Sequence, residues 1–208
     1  MKKIYIGIGF ALMSSWATAG VGTVNFTGAI TSNTCTVNGT TTAIGAGGGP
    51  NLAVALPLTP SSAFTGQGSF KGATPFAIVL SDCTFPATGY GIGGADPATQ
   101  VSIGFEQGVT LQTSTAFDPD ALANIDTTEK GATGVDVALF RSEGVSPANK
   151  IRLSLPAGSQ NVPWALPTTN AGVFNATFKF LAAYEQNGAT PPTPGNVFTN
   201  VTFNVIYQ

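Results

Sequence analysis

The side chains that usually carry catalysis are scarce in this sequence. It holds no histidine and two cysteines among 208 residues. No serine or cysteine stands in a recognisable relation to a base, so nucleophilic and acid–base chemistry have no constellation to work with. Cys35 and Cys83 are the residues with chemistry to offer. In an exported chain a lone pair reads as one disulfide, with two buried thiols as the alternative. The bond would close a loop of about 48 residues and contribute roughly 4 kcal/mol in the chain-entropy model. Two thiols without histidine make a poor zinc site, and no metal is expected.

Other candidates are weaker. Asp118, Asp120, Asp126 and Glu129 fall in the register of a calcium loop. That register puts Leu122 where a ligand is wanted and Ala123 where a sharp-turn glycine is wanted, so the stretch reads as a solvated acidic loop. Gly89–Gly94 is rich in glycine, but no helix and no Lys-Ser/Thr pair follows to cradle a phosphate. Asn38, Asn175 and Asn200 head glycosylation sequons and read as ordinary β-surface residues. Only 9% of residues are charged and the net charge is −2, which leaves no basic footprint for nucleic acid. No cofactor is implied, and the chain is not expected to be an enzyme. With so few charges, the surface must be built from Thr, Asn, Ser, Gln, Gly and Ala, which suits a protein that packs against copies of itself.

The elements that would position these residues are short and alternating. Residues 1–19 have the make-up of a secretory signal peptide. Lys2 and Lys3 precede an apolar run from Ile4 to Met13, and Ala17-Thr18-Ala19 is a small-x-small cleavage pattern. Next comes Gly22–Ile30, whose Gly22, Val24, Phe26, Gly28 and Ile30 fall on one face of a strand. A strand so close to a terminus frays unless something ties it down. Further strands are expected at Leu52–Leu56, Phe76–Cys83, Gln100–Phe105, Val135–Phe140, Ile151–Leu155, Phe174–Tyr184 and Val197–Tyr207. A helical turn is expected near Asp120–Ile125, with Asp118 as its cap before Pro119. The 26 glycines and 14 prolines punctuate these runs, and the pattern is that of an all-β sandwich. The strand at each end is apolar, alternating and unblunted, where exposed edges are normally protected.

Taken together, Gly22-Thr23-Val24-x-Phe26-x-Gly28, Cys35-Thr36-Val37, Phe76-x-Ile78-x-Leu80-x-Asp82-Cys83, Ala176-Thr177-Phe178-x-Phe180-x-Ala182-x-Tyr184 and Val201-x-Phe203-x-Val205-x-Tyr207-Gln208 resemble type 1-like fimbrial subunits (pilins) of the chaperone–usher pathway. The resemblance covers the chain beyond residue 19, with longer segments near Ser61–Gly72 and Pro147–Asn170. It implies an incomplete immunoglobulin-like β-sandwich lacking its seventh strand, with the last strand bordering an open apolar groove. Residues 1–19 would be the signal peptide, 20–27 a donor-strand extension and 28–208 the pilin domain. Gly22, Val24 and Phe26 would form the donor strand. Val201, Phe203, Val205, Tyr207 and Gln208 would form the groove and the chaperone-recognition end. The expected function is that of a structural subunit of a fimbria, polymerised by donor-strand exchange and supporting cell adhesion. The implied partners are other pilin subunits, a periplasmic chaperone, an outer-membrane usher and, through the assembled pilus, a host-surface receptor. The implied route is through the periplasm to the cell surface. A minor adaptor or terminator subunit, or a carbohydrate-binding adhesin, is the alternative.

Overall fold

The computed structural model describes residues 35–41, 51–84, 100–106, 118–166 and 173–207. Seven strands run through them: β1 (Thr36–Thr41), β2 (Phe70–Thr84), β3 (Val101–Phe105), β4 (Ala121–Ala123), β5 (Val135–Arg141), β6 (Val173–Gln186) and β7 (Phe203–Tyr207). The described helical structure consists of single 3-10 turns at Ser61–Ala63 and Pro147–Asn149. One sheet has the order β1-β2-β6-β5-β4 and the other pairs β3 with β7. Every ladder is antiparallel.

The centre of the large sheet follows from the alternation of β6. Phe174, Ala176, Phe178, Phe180 and Ala182 are buried, whereas Asn175, Thr177 and Lys179 are exposed, as the period-two pattern predicts. Phe180 stacks on Phe76 of β2 at 5.3 Å and meets Phe105 of β3 edge-on at 5.5 Å. These rings tie the two layers together. Ile78 and Leu80 of β2, Ile103 of β3, and Val137 and Leu139 of β5 complete the shared core. Each such side chain contributes about 1.5–3 kcal/mol when fully buried.

β2 changes register twice, between Lys71 and Thr74 and between Leu80 and Cys83. Gly72 at the first shift (φ +69°) and Asp82 at the second (φ +54°) adopt left-handed backbone. The second shift has a purpose that the sequence pattern hides. Strict alternation from the buried Leu80 would turn Cys83 outward. The extra residue of a bulge resets the phase, so Cys83 points inward and is bonded to Cys35. The backbone N–H of Asp82 donates to Asn175 Oδ1 on β6 at 3.0 Å, fixing the bulge.

Several local expectations fail: Leu52–Leu56 is extended but is not a strand, and the last strand is Phe203–Tyr207 instead of Val197–Tyr207. The stretch expected to hold a helical turn contains β4, because Ala121–Ala123 pairs with Asp136–Ala138 of β5. Asp118 makes a local turn there rather than a helix cap, accepting the Asp120 N–H at 2.8 Å. Tertiary pairing overrides a weak local preference. Ile151–Leu155 is not a strand either. Ile151 and Leu153 are fully buried, but the chain turns there, and Leu155 N–H bonds back to the Arg152 carbonyl.

The described part of the long segment, residues 147–166, has a role in positioning the second sheet. Ala165 exchanges two backbone hydrogen bonds with Val101, at 2.7 and 3.0 Å. At the other end of β3 the buried Gln160 side chain acts as a strand surrogate. Its Oε1 accepts from Phe105 N–H at 2.8 Å, and its Nε2 donates to the Phe105 carbonyl at 2.7 Å. The outer edge of β3 is thereby covered, and β7 becomes the lip of the small sheet.

Candidate functional site

The last strand carries the site. Val201, Phe203, Val205 and Tyr207 are each half-buried and pack on the common core. Their alternate neighbours Thr202 and Asn204 are exposed. The Thr202 carbonyl accepts from Glu106 N–H at 2.8 Å, which fixes the phase of the ladder. Backbone groups of even-numbered residues face β3, and those of Phe203 and Val205 face the opposite side. Among the described residues β7 pairs with β3 alone.

Opposite that lip runs the stretch 51–56, within which the sequence pattern predicts a strand at Leu52–Leu56. Its side chains alternate as one, with Leu52, Val54 and Leu56 half-buried on the core and Asn51, Ala53 and Ala55 exposed. It has no ladder among the described residues. Beside it lies a groove of about 660 Å³. Leu52–Leu56 forms one wall and Val197–Val201 with Phe203 the other. The floor is Phe76 and Ile78 of β2, Phe105 of β3, Leu122 of β4, Val137 and Leu139 of β5, and Ala182 and Tyr184 of β6. Burial pushes the Tyr184 phenol above its ordinary pKa, so no charge arises on the floor near neutral pH.

Ser61 Oγ donates to the Pro192 carbonyl, and Phe64 and Val135 form a small cluster with Tyr184 and Val197, two residues that also line the groove. Asn124, just past β4, holds the adjoining wall with its whole amide. Its Nδ2 donates to the Ala132 and Asn196 carbonyls at 2.8 and 2.9 Å. Its Oδ1 accepts from Phe198 N–H at 2.9 Å and Asp126 N–H at 3.1 Å. At the other end of β7, the Tyr207 hydroxyl donates to Cys35 Sγ at 3.3 Å. Burial raises the Tyr207 pKa as well, which keeps the hydroxyl a donor. The disulfide thus sits beside the end of the lip and joins the start of β1 and the end of β2 to it.

Of the sequence-predicted residues, Cys35 and Cys83 are joined, Val201 and Phe203 line the groove, and Val205 and Tyr207 lie further along β7, packed on the common core but outside the groove lining. Gly22, Val24, Phe26 and Gln208 lie outside the described residues. Sequence reasoning missed the function of the facing wall and of Asn124. The Leu52-x-Val54-x-Leu56 alternation was a signal for the wall. No local signal marks Asn124, whose partners lie up to 74 residues away. The acidic residues of the calcium-like register diverge instead of converging. Asp118 Oδ2 meets Lys150, Asp120 Oδ1 accepts the Ser154 N–H and Asp126 Oδ1 accepts the Thr128 N–H.

Comparison with known proteins points to one family. The family model for the type-1 fimbrial protein, FimA, matches residues 56–208. The F17 fimbrial protein of Escherichia coli is 31% identical over 210 residues, with both chains covered in full. The major fimbrial subunit SMF-1 of Stenotrophomonas maltophilia is 29% identical over 193 residues, covering 92% of this chain and 95% of its own. Among solved structures, a subunit of a chaperone–usher pilus aligns with TM-score 0.50 at 16% identity, over 94% of this chain and 100% of its own. The P pilus rod subunit PapA aligns with TM-score 0.51 at 16% identity, over 76% of this chain and 94% of its own. These two support the immunoglobulin-like fold.

Proposed function

From membership of the type-1 fimbrial protein family, to which this chain belongs, we propose that it is a structural pilus subunit that polymerises by donor-strand exchange. The observation that carries this reading is the apolar groove between β7 and Asn51–Leu56. Both walls are extended, and no described strand lies between them. A strand laid into the groove would pair with the outward backbone groups of Phe203 and Val205, satisfying donors and acceptors that are costly to bury alone. Alternate apolar side chains of that strand would rest on the floor. This is recognition by β-strand addition, the general mode to which donor-strand complementation of pilins belongs.

The chain's own segment Gly22–Ile30 fits as the occupant in a neighbouring subunit. Val24 and Phe26 are the anchors, and Gly22 suits a place of close backbone approach. Residues 1–19 then serve as the export signal, 20–27 as the donor extension and 28–208 as the pilin domain. Before polymerisation a periplasmic chaperone occupies the groove and recognises the end formed by Tyr207 and Gln208, and an outer-membrane usher directs the exchange. The product is a surface fimbria, and the subunit does no enzymatic chemistry.

The test is Phe26→Asp in the native export system. A charge at this anchor would have to be buried on an apolar floor without a partner. The variant should accumulate with its chaperone yet yield no fibres by electron microscopy. Normal fibres from this variant would overturn the donor-strand assignment.

A further inference from the structure

On the outer face of the large sheet, away from the groove, lies a buried charged cluster that polymerisation does not use. Lys150 Nζ is 2.6 Å from Asp118 Oδ2 and 2.5 Å from Glu185 Oε2. The two carboxyls thus meet on the same ammonium. The Lys150 and Glu185 side chains are 8% and 2% exposed. The Phe70 ring lies 5.7 Å from Nζ, backed edge-on by Phe140 at 4.9 Å. An amine and a carboxylate held in contact inside an apolar wall, with a second carboxyl on the same amine, are the reactants and the acid–base catalyst of amide formation.

We propose that Lys150 and Asp118 form an intramolecular isopeptide bond, with Glu185 as the proton-transfer group. Lys150 begins as an ammonium and Asp118 as a carboxylate. A proton passes from Nζ to the Asp118 carboxyl, and the neutral amine attacks Cγ. Glu185, protonated, donates a hydrogen bond to the oxygen on which charge develops. It then takes the second Nζ proton while supplying one to Oδ2. The Nζ–Cγ bond forms, the Cγ–Oδ2 bond breaks and one water leaves. Charge balances, Glu185 ends as it began, and no oxidant, reductant or activating co-reactant is needed.

The surroundings suit these roles. Burial holds the Glu185 carboxyl up to about 7, against the pull of Lys150, so an appreciable fraction is protonated near neutral pH. Asp118 keeps a 24% exposed side chain, which gives the released water a way out. The bond would span 32 positions of sequence and pin the approach to β4 to the chain following the Pro147–Asn149 turn. This is a staple independent of the disulfide.

Intact-mass measurement of the full exported subunit tests the proposal. The mass should fall one water below that of the disulfide-bonded chain, and proteolysis should yield a branched peptide joining Lys150 to Asp118. A mass equal to the disulfide-bonded chain overturns it and leaves the cluster as an ion pair. Asp118→Asn is the second, near-isosteric variant. It should lose ammonia instead of water and reach the same mass as the crosslinked wild type, whereas retention of the asparagine mass argues against the reaction. Glu185→Gln should restore the full mass; a crosslink that still forms removes Glu185 from the mechanism.

Discussion

At the scale of single residues, the cluster around Glu185 sets a pH dependence whose sign follows from burial. Its carboxyl is held at about 7 in the fold against an ordinary 4.5. The groups facing it are Lys150 beyond the 3-10 turn, Asp118 ahead of β4 and Asp136, its buried cross-strand partner on β5. Between those two values the folded chain binds the proton that the unfolded chain has released. The contribution to stability is therefore fully present below about pH 4.5 and is lost as pH rises through about 7. As long as its carboxyl is free, Asp118 works in the opposite direction on the acid side. Burial alone would raise its pKa, but Lys150 and the Asp120 N–H outweigh burial and lower it. In refolded subunit whose mass is still that of the uncrosslinked chain, melting temperatures should fall between about pH 5 and about pH 8, and they should fall less in Glu185→Gln. Parallel curves for the two proteins would place the titration elsewhere. None of this was legible in the sequence, because the contacts to Lys150 span 32 and 35 positions and each residue alone looks like solvated charge.

At the scale of elements, legibility followed how much of a segment's fate was decided locally. β6 announced itself, since its alternation is unbroken from Phe174 to Ala182 and one face is wholly buried. Ile151–Leu155 has the same alternation, yet its neighbours impose turns and only its burial survives. Asp118–Ile125 carried a fair helix-start signal and lost it to pairing with β5. Cys83 illustrates the reverse: the cysteine pair was readable, but the bulge at Asp82 that turns it inward was not. Gln160 is the clearest case of a side chain acting as an element. It meets both backbone groups of Phe105 and also donates to the Leu155 carbonyl at 2.9 Å. Gln160→Ala leaves a buried N–H and a buried carbonyl at the end of β3 without their partner. The expected cost is about 1–3 kcal/mol per stranded group, read as a lower denaturation midpoint. Because Phe105 also forms groove floor, donor-peptide affinity should fall as well. Unchanged stability would show that water or the backbone replaces the amide.

At the scale of the whole molecule, the two sheets share one core but meet unequally. β2, β6 and β5 present a continuous apolar face, while β3 and β7 cover only part of it. The remainder is the groove floor. The half-burial of Val201, Phe203 and Val205 on one side and of Leu52, Val54 and Leu56 on the other is what such incomplete coverage looks like residue by residue. A strand that fills the gap would bury apolar surface from both walls at about 25 cal/mol per Å² and would add a ladder to β7. Anything that binds the folded state and not the unfolded one raises apparent stability by mass action, by about 2.7 kcal/mol at a hundredfold excess over Kd. A synthetic peptide copying Val21–Ala29, added to purified subunit, should therefore raise the melting temperature in a concentration-dependent way. The same peptide with Phe26→Asp should not, because its charge would meet an apolar floor rather than water. A shift of equal size from both peptides would mean that the backbone ladder alone provides the affinity. No shift from either, with the subunit folded and its disulfide intact, would mean that the groove does not accept this strand. The floor residues would then have to be explained as the seat of a different partner.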